Sequence, residues 1–146
     1  MSDSLKLENQ LCHRFYLLSN AFTRAYRPLL DKLDITYPQY IVLMALWEVD
    51  AVTIAALTNK TGIDAGAMTL MLKKLTQKGL IDVLKDEKDK RVKHVHLTTK
   101  GKALKQQAEE IPKQMLCKFS DINIKDLQQH IEFLDKLNAY LTEDKT

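Results

Sequence analysis

Cys12 and Cys117 are the only thiols in the 146-residue chain, and a thiolate is both a nucleophile and a metal ligand. In a reducing compartment they are unlikely partners for a permanent structural bridge, which leaves two readings: inert buried thiols or redox chemistry. A cysteine on an apolar helix face, as Cys12 is, is more often a small packing residue than a reactive group. No Cys-x-x-Cys occurs and no thioredoxin-like βαβ pattern accompanies the pair, so a thiol peroxidase or thiol-disulfide enzyme is the least favoured class. His94 and His96 alternate along a short run and, with His130, invite a metal reading. They lack a matching cysteine or carboxylate cluster, so they read as exposed surface residues, with no metal and no cofactor. The remaining candidate is Arg91, two residues after Asp89 in the charged run D-E-K-D-K-R. It suits a narrow A·T-rich minor groove with Asp89 orienting the guanidinium, or equally a plain hairpin ion pair.

The elements that must position these groups are mostly helical. Apolar residues at Leu7, Leu11, Phe15, Leu18, Phe22, Tyr26 and Leu29 mark one face of a first helix over about 4–30. Thr36 is placed to cap a second helix, with Pro38 in its first turn and an apolar run from Tyr40 to Trp47 that predicts the central core helix. Thr53 caps a short helix through Lys60. Asp64 caps another that runs to Lys78, where Gly79 stops it. Strands are expected over 81–85 and 92–97. Thr98 or Thr99 then opens a long helix to about Phe119, kinked at Pro112, and a last helix covers about 123–142.

Two short helices meeting at Gly62, followed by a charged hairpin, predict a winged helix-turn-helix over about 37–100. The fold class is therefore mainly α with a small β-hairpin, in a single domain spanning 1–146. Composition fits an ordinary globular chain, 45% hydrophobic and 28% charged. Formal net charge is only +3, yet the segment 52–105 holds twelve Lys or Arg against five Asp or Glu, a local positive face suited to double-stranded DNA. The longest uninterrupted apolar run is too short to cross a bilayer and the N-terminus lacks a signal-peptide core, so a cytoplasmic protein with no membrane contact is expected.

Helices over about 4–30 and 99–143 carry apolar stripes with no partner inside a winged helix. They predict a homodimer, which would set two reading heads roughly 34 Å apart on an inverted-repeat operator. At the reading end, Asp64, Ala65, Gly66, Ala67 and Thr69 enter the groove, with Lys73 and Lys74 further along. No Arg, Asn or Gln sits there for bidentate readout, so specificity leans on DNA shape and on Asp89 and Arg91 of the wing.

The wing D-K-R-V-K-H-V-H-L-T-T-K-G resembles the signature of the MarR family, Asp-x-Arg followed by Leu-Thr-x-x-Gly, matched by Asp89, Arg91, Leu97, Thr98 and Gly101. L-E-N-Q-L-C at 7–12 and Y-R-P-L-L-D-K-L-D-I-T-Y-P-Q-Y at 26–40 are similar to its organic-hydroperoxide-sensing branch. The resemblance implies a dimeric repressor, not an enzyme, with Cys12 as the peroxide-reactive thiol and Tyr26 and Tyr37 hydrogen-bonded to it. It also places Cys117 where the two-cysteine subgroup has a resolving thiol, which would form an intersubunit disulfide and release the operator. Fourteen residues of helix separate Cys12 from Tyr26, about 21 Å, so the tyrosine contact would come from the partner subunit. Phe15, Tyr16 and Phe22 around the thiol would favour organic hydroperoxides as inducer.

The chain departs from the branch at His13 and Arg14, which read as solvent-facing. It departs again at Ala65 and Ala67, which replace hydroxyl residues, and at Leu70, which replaces a proline. The operator therefore does not carry over. The alternative is a MarR-like regulator of a phenolic or metal ligand, with structural cysteines.

Overall fold

The computed structural model describes residues 3–142. By its contacts the chain forms two compact units, Met1–Ile111 and Pro112–Thr146. The first contains α1 (Leu11–Leu30), α2 (Tyr37–Glu48), β1 (Val52–Thr53), α3 (Ile54–Thr61), α4 (Ala65–Gln77), β2 (Ile81–Lys85), β3 (Lys93–Leu97) and α5 (Thr99–Ala108). Helix α6 (Glu110–Cys117) crosses the division, and α7 (Ile124–Thr142) lies in the second unit. No helix among the described residues is long and apolar enough to cross a membrane.

Helix α2 is the centre of the first unit. Tyr40, Val42, Leu43 and Leu46 are buried on nearly all of its sides, joined by Leu57 of α3, Met68, Leu72 and Leu75 of α4, and Val95 of β3. Its start is set locally, because the Thr36 backbone N–H donates to Gln39 Oε1 at 3.1 Å and Pro38 occupies the first turn, where no N–H is needed. The caps at Thr53, Asp64 and Thr98 form as their sequence positions predict: each side-chain oxygen accepts the backbone N–H three residues on, from Ala56, Ala67 and Gly101. Gly62 and Gly79, at φ +70° and +69°, close α3 and α4 in the left-handed region that glycine enters without a Cβ penalty.

Four expectations are corrected. The sheet has three antiparallel strands in the order β1-β3-β2, because Val52 and Thr53 pair with Val95 and His94. A two-residue strand leaves too short a pattern to read from sequence. The first helix begins at Leu11 rather than near Ser4. Ahead of it, the Asn9 side chain donates to the Asp3 carbonyl and Gln10 to those of Ser4 and Lys6, folding the segment into two 3₁₀ turns, Asp3–Leu5 and Leu7–Asn9. The long helix after the wing is two helices, and α5 ends at Ala108. That is the residue whose carbonyl, four positions before Pro112, the proline ring would strike and whose hydrogen bond it cannot complete. His94 and His96 are half-buried instead of exposed.

The junction between α4 and the β2–β3 hairpin turns on Gly101. A Cβ built there would lie 2.0 Å from the Leu80 carbonyl oxygen, so α5 passes the chain just after α4 at a distance only glycine permits. Thr98 fastens the same point, its hydroxyl donating to the Gly79 carbonyl at 2.6 Å and its backbone N–H to Leu80 O at 3.1 Å. From the other side Trp47 Nε1 donates to the Gly101 carbonyl at 2.9 Å. Gly101→Ala should therefore cost roughly 2–3 kcal/mol through forced displacement of backbone. Gly66→Ala, whose Cβ meets nothing closer than Asp64 Oδ1 at 3.4 Å, should be neutral or stabilising by up to ~1 kcal/mol. Denaturant midpoints of the two variants measure the contrast, and equal midpoints would refute it.

Candidate DNA interface and thiol site

Helix α4 turns Met68, Leu72 and Leu75 into the core and presents Ala65, Gly66, Thr69, Leu70, Lys73 and Lys74 outward, with Ala67 half-buried. Asp64 is committed to capping: its Oδ1 accepts the Ala67 N–H at 2.9 Å. The Thr69 hydroxyl is also committed, donating to the Ala65 carbonyl at 2.9 Å. Among the described residues neither Lys73 nor Lys74 enters an ion pair.

The wing tip is built by two aspartates. Asp86 Oδ2 accepts the backbone N–H groups of Lys88 and Asp89, each at 3.0 Å, and its Oδ1 lies 3.1 Å from His94 Nε2. Asp89 then takes the Arg91 backbone N–H at 3.1 Å and both sides of its guanidinium, Nε at 3.2 Å and Nη2 at 3.3 Å. The hairpin ion pair is formed, and the Arg91 side chain stays 91% exposed while Asp89 fixes its direction. Asp86 was not apparent as part of this device, although an aspartate opening a tight polar turn is the ordinary signal for one. The same carboxylate is the partner of His94. Among the described residues no three His, Cys, Asp or Glu side chains converge on a cation site.

Tyr26 of α1 and Tyr37 of α2 meet, their ring centroids 4.6 Å apart. Tyr40 and Trp47 extend the cluster: Tyr40 stands 6.1 Å from Tyr26 and 6.3 Å from Trp47. These two further members follow from Tyr37 at helical spacing, three and ten residues on along one face of α2. Burial, then the neighbouring Tyr37, raises the Tyr26 phenol above its ordinary 10, and burial, then Tyr26 and Tyr37, raises Tyr40 likewise. These two hydroxyls are thus protonated donors at neutral pH.

Cys12 does not join them. It lies on α1 fourteen residues before Tyr26, about 21 Å along the helix, and it is exposed rather than packed in a core. Further along α1, Phe15 and Phe22 are half-buried and Tyr16 is 65% exposed. Arg14 faces solvent and donates to the Gln10 carbonyl, whereas His13 is half-buried rather than solvent-facing. Cys117, the last residue of α6, is exposed in the second unit. A cleft beside Tyr37, lined by Thr23, Arg27, Ile35 and Thr36, has a volume of about 140 Å³. That is well below the roughly 300 Å³ from which small-molecule pockets begin.

A cap-set reading helix on a three-helix core, followed by an antiparallel wing with a held arginine at its tip, defines a winged helix-turn-helix DNA-binding protein. The sequence profile of the MarR family matches residues 35–93. The organic hydroperoxide resistance transcriptional regulator of Bacillus subtilis is 46% identical over 110 residues, 75% of each chain. The chain belongs to the MarR family and is a DNA-binding transcriptional regulator rather than an enzyme. Among solved structures it resembles AbfR of Staphylococcus epidermidis, reduced and bound to DNA, with a TM-score of 0.80, 28% identity and coverage of 97% of this chain and 98% of that one. The overoxidised AbfR bound to DNA gives 0.79 at 29% identity over the same shares.

The wing geometry carries a pH dependence. Backbone N–H groups of Asp89 and Lys88, with His94 beside them, lower the Asp86 carboxyl, and Arg91 lowers Asp89. A depressed carboxylate contributes order that is present above its unfolded value near 3.8 and is lost as pH falls through the lower folded value. The Lys88, Asp89 and Arg91 amide resonances should accordingly titrate with midpoints below 3.8, and Asp86→Asn should remove the titration at Lys88. A midpoint at or above 3.8 would contradict this account.

Proposed function

We propose that this chain is a homodimeric repressor that senses organic hydroperoxides through Cys12 and releases an inverted-repeat operator when Cys117 of a second copy captures the oxidised thiol. The observation that carries the proposal is the Tyr26–Tyr37 pair, assembled 4.6 Å apart yet out of reach of the Cys12 on its own helix. The similarity to a hydroperoxide resistance regulator supports the same reading.

Dimerisation is supported by unpartnered apolar surface. No residue of α7 is buried, although Ile131, Leu134 and Leu141 repeat along it. Leu7, Leu11, Leu17 and Leu18 are each at least half exposed near the other end of the chain. Surfaces of this kind on separate segments support contact with a second copy. In this reading α1, α5, α6 and α7 form the dimer, and the winged helix at 37–100 reads DNA with Asp64, Ala65, Gly66, Ala67, Thr69, Lys73, Asp89 and Arg91.

The chemistry balances within the pair. The Cys12 thiolate, held by the partner's phenol donors in a reducing cytoplasm, attacks the terminal peroxide oxygen. The S–O bond forms as the O–O bond breaks, the alkoxide leaves as an alcohol after taking a proton, and Cys12 becomes a sulfenic acid. The Cys117 thiolate then attacks that sulfur, forms the disulfide and expels the oxygen as water. An added crosslink between helices changes the spacing of the two reading heads, on which simultaneous occupation of two half-sites depends.

Operator binding by wild type, Cys12→Ser and Cys117→Ser, with and without cumene hydroperoxide, tests the proposal when read beside a non-reducing gel. Wild type should lose at least tenfold in affinity and run as a covalent dimer. Cys12→Ser should keep its affinity and remain monomeric on the gel, and Cys117→Ser should form no covalent dimer. Release of Cys12→Ser to the wild-type extent would sink the reading and favour a ligand-responsive regulator.

A further inference from the structure

The outward face of α4 carries a feature that neither capping nor packing explains. Leu70 is 56% exposed in the middle of that face. It sits two residues from both Met68 and Leu72, about 200° around the helix from the side they bury, so no shift of the helix within its core would cover it. One turn before it on the same stripe is Gly66 and one turn after it is Lys74. Alongside run Ala65, Thr69 and Lys73. Among its immediate neighbours toward the reading end none offers a free side-chain donor: Ala65 and Gly66 have none, and the Thr69 hydroxyl is spent on the Ala65 carbonyl. Leu70 is thus the one large side chain on the N-terminal half of this face, apolar, flanked by methyl-sized groups on one side and by two lysines on the other.

In a major groove only one feature of a base edge is apolar, the 5-methyl group of thymine. Lys73 and Lys74 suit phosphates, and phosphates are the wrong neighbour for a leucine. We infer that Leu70 reads thymine 5-methyl groups, so that α4 selects its half-site by the position of methyls rather than by bidentate hydrogen bonds. The inference rests on the DNA-reading part of the proposed function and is independent of the thiol chemistry. It assigns base readout to a position that the wing and the small residues of α4 leave unfilled.

The test uses the reduced full-length protein and duplexes that it selects from a random-sequence pool. Each thymine of a selected half-site is replaced in turn by deoxyuridine, which keeps every hydrogen-bonding edge and lacks only the methyl. At one or two positions per half-site the wild type should bind roughly fourfold more weakly, the ratio for one buried methyl-sized group. Leu70→Ala, a change to a strong helix former at an exposed site, should bind the thymine and deoxyuridine duplexes equally at those positions. Leu70→Met should retain the difference. If no deoxyuridine replacement weakens wild-type binding, or if Leu70→Ala keeps the full penalty, the inference is overturned although the protein is still a DNA reader. If the pool yields no enriched duplex, the DNA-reading assignment falls and the inference with it. Loss of hydroperoxide response alone would overturn the thiol proposal while an intact methyl penalty continued to support this one.

Discussion

The constraint on which the rest depends is the continuity of α1. From Leu11 to Leu30 the helix is unbroken, and a rise of 1.5 Å per residue holds Cys12 about 21 Å from Tyr26 whatever the side chains do. A thiol and a phenol at these two positions of one rigid rod cannot meet each other, and Tyr37 of α2 packs against that phenol, but thiol and phenols can meet across two antiparallel or crossing rods. The proposed sensor is therefore incomplete in a single chain, and the exposed leucines near Cys12 acquire a role in completing it. Had the helix bent between the two positions, one chain would suffice and nothing would tie thiol chemistry to the spacing of reading heads.

At the other end, α2 joins the phenol cluster to the DNA head through direct contacts. Its first turn supplies Tyr37 and Tyr40 to the aromatic group with Tyr26, and its last supplies Trp47, which donates to the Gly101 carbonyl. Gly101 in turn lies against the Leu80 backbone just beyond α4, where Thr98 holds Gly79 and Leu80. The wing signature thus divides by task. Leu97, Thr98 and Gly101 lock the junction between reading helix and wing, while Asp89 and Arg91 present charge to the outside. Contiguity of this kind is a route by which a rearrangement at the tyrosines would be felt at α4, and a demonstrated change in binding is what would make it coupling.

What was legible in the sequence was set by neighbours within four residues. The caps at Thr36, Thr53, Asp64 and Thr98, the stops at Gly62 and Gly79, and the Asp89–Arg91 pair all depend on such short spacings. What was not legible depends on distant partners. Asp50 Oδ1 accepts the N–H groups of Ala51 and of Leu97, forty-seven residues away, and with Ala51 at φ +58° it turns the chain from α2 into β1. Nothing local announces that contact, and without it β1 is only two unremarkable residues. Pro112 signals a kink at its own position, whereas the steric conflict acts four residues earlier, at the end of α5. Leu70 stands out in the sequence as a departure from relatives, but that it faces solvent is set by the packing of Met68, Leu72 and Leu75 on the opposite side of α4.

The central claim is that the thiol of one copy is completed by the tyrosines of another, and subunit mixing tests it most directly. A Cys12→Ser chain retains the tyrosines, and a Tyr26→Phe/Tyr37→Phe chain retains the thiol, so neither homodimer contains a complete site. A mixed dimer contains one complete site if the contact is made between subunits and none if it is made within a chain. The pH dependence of Cys12 alkylation in the purified mixed dimer reads this out. The account predicts that the mixed dimer reacts with the wild-type profile at its single Cys12. A profile identical to that of the Tyr26→Phe/Tyr37→Phe homodimer would contradict it.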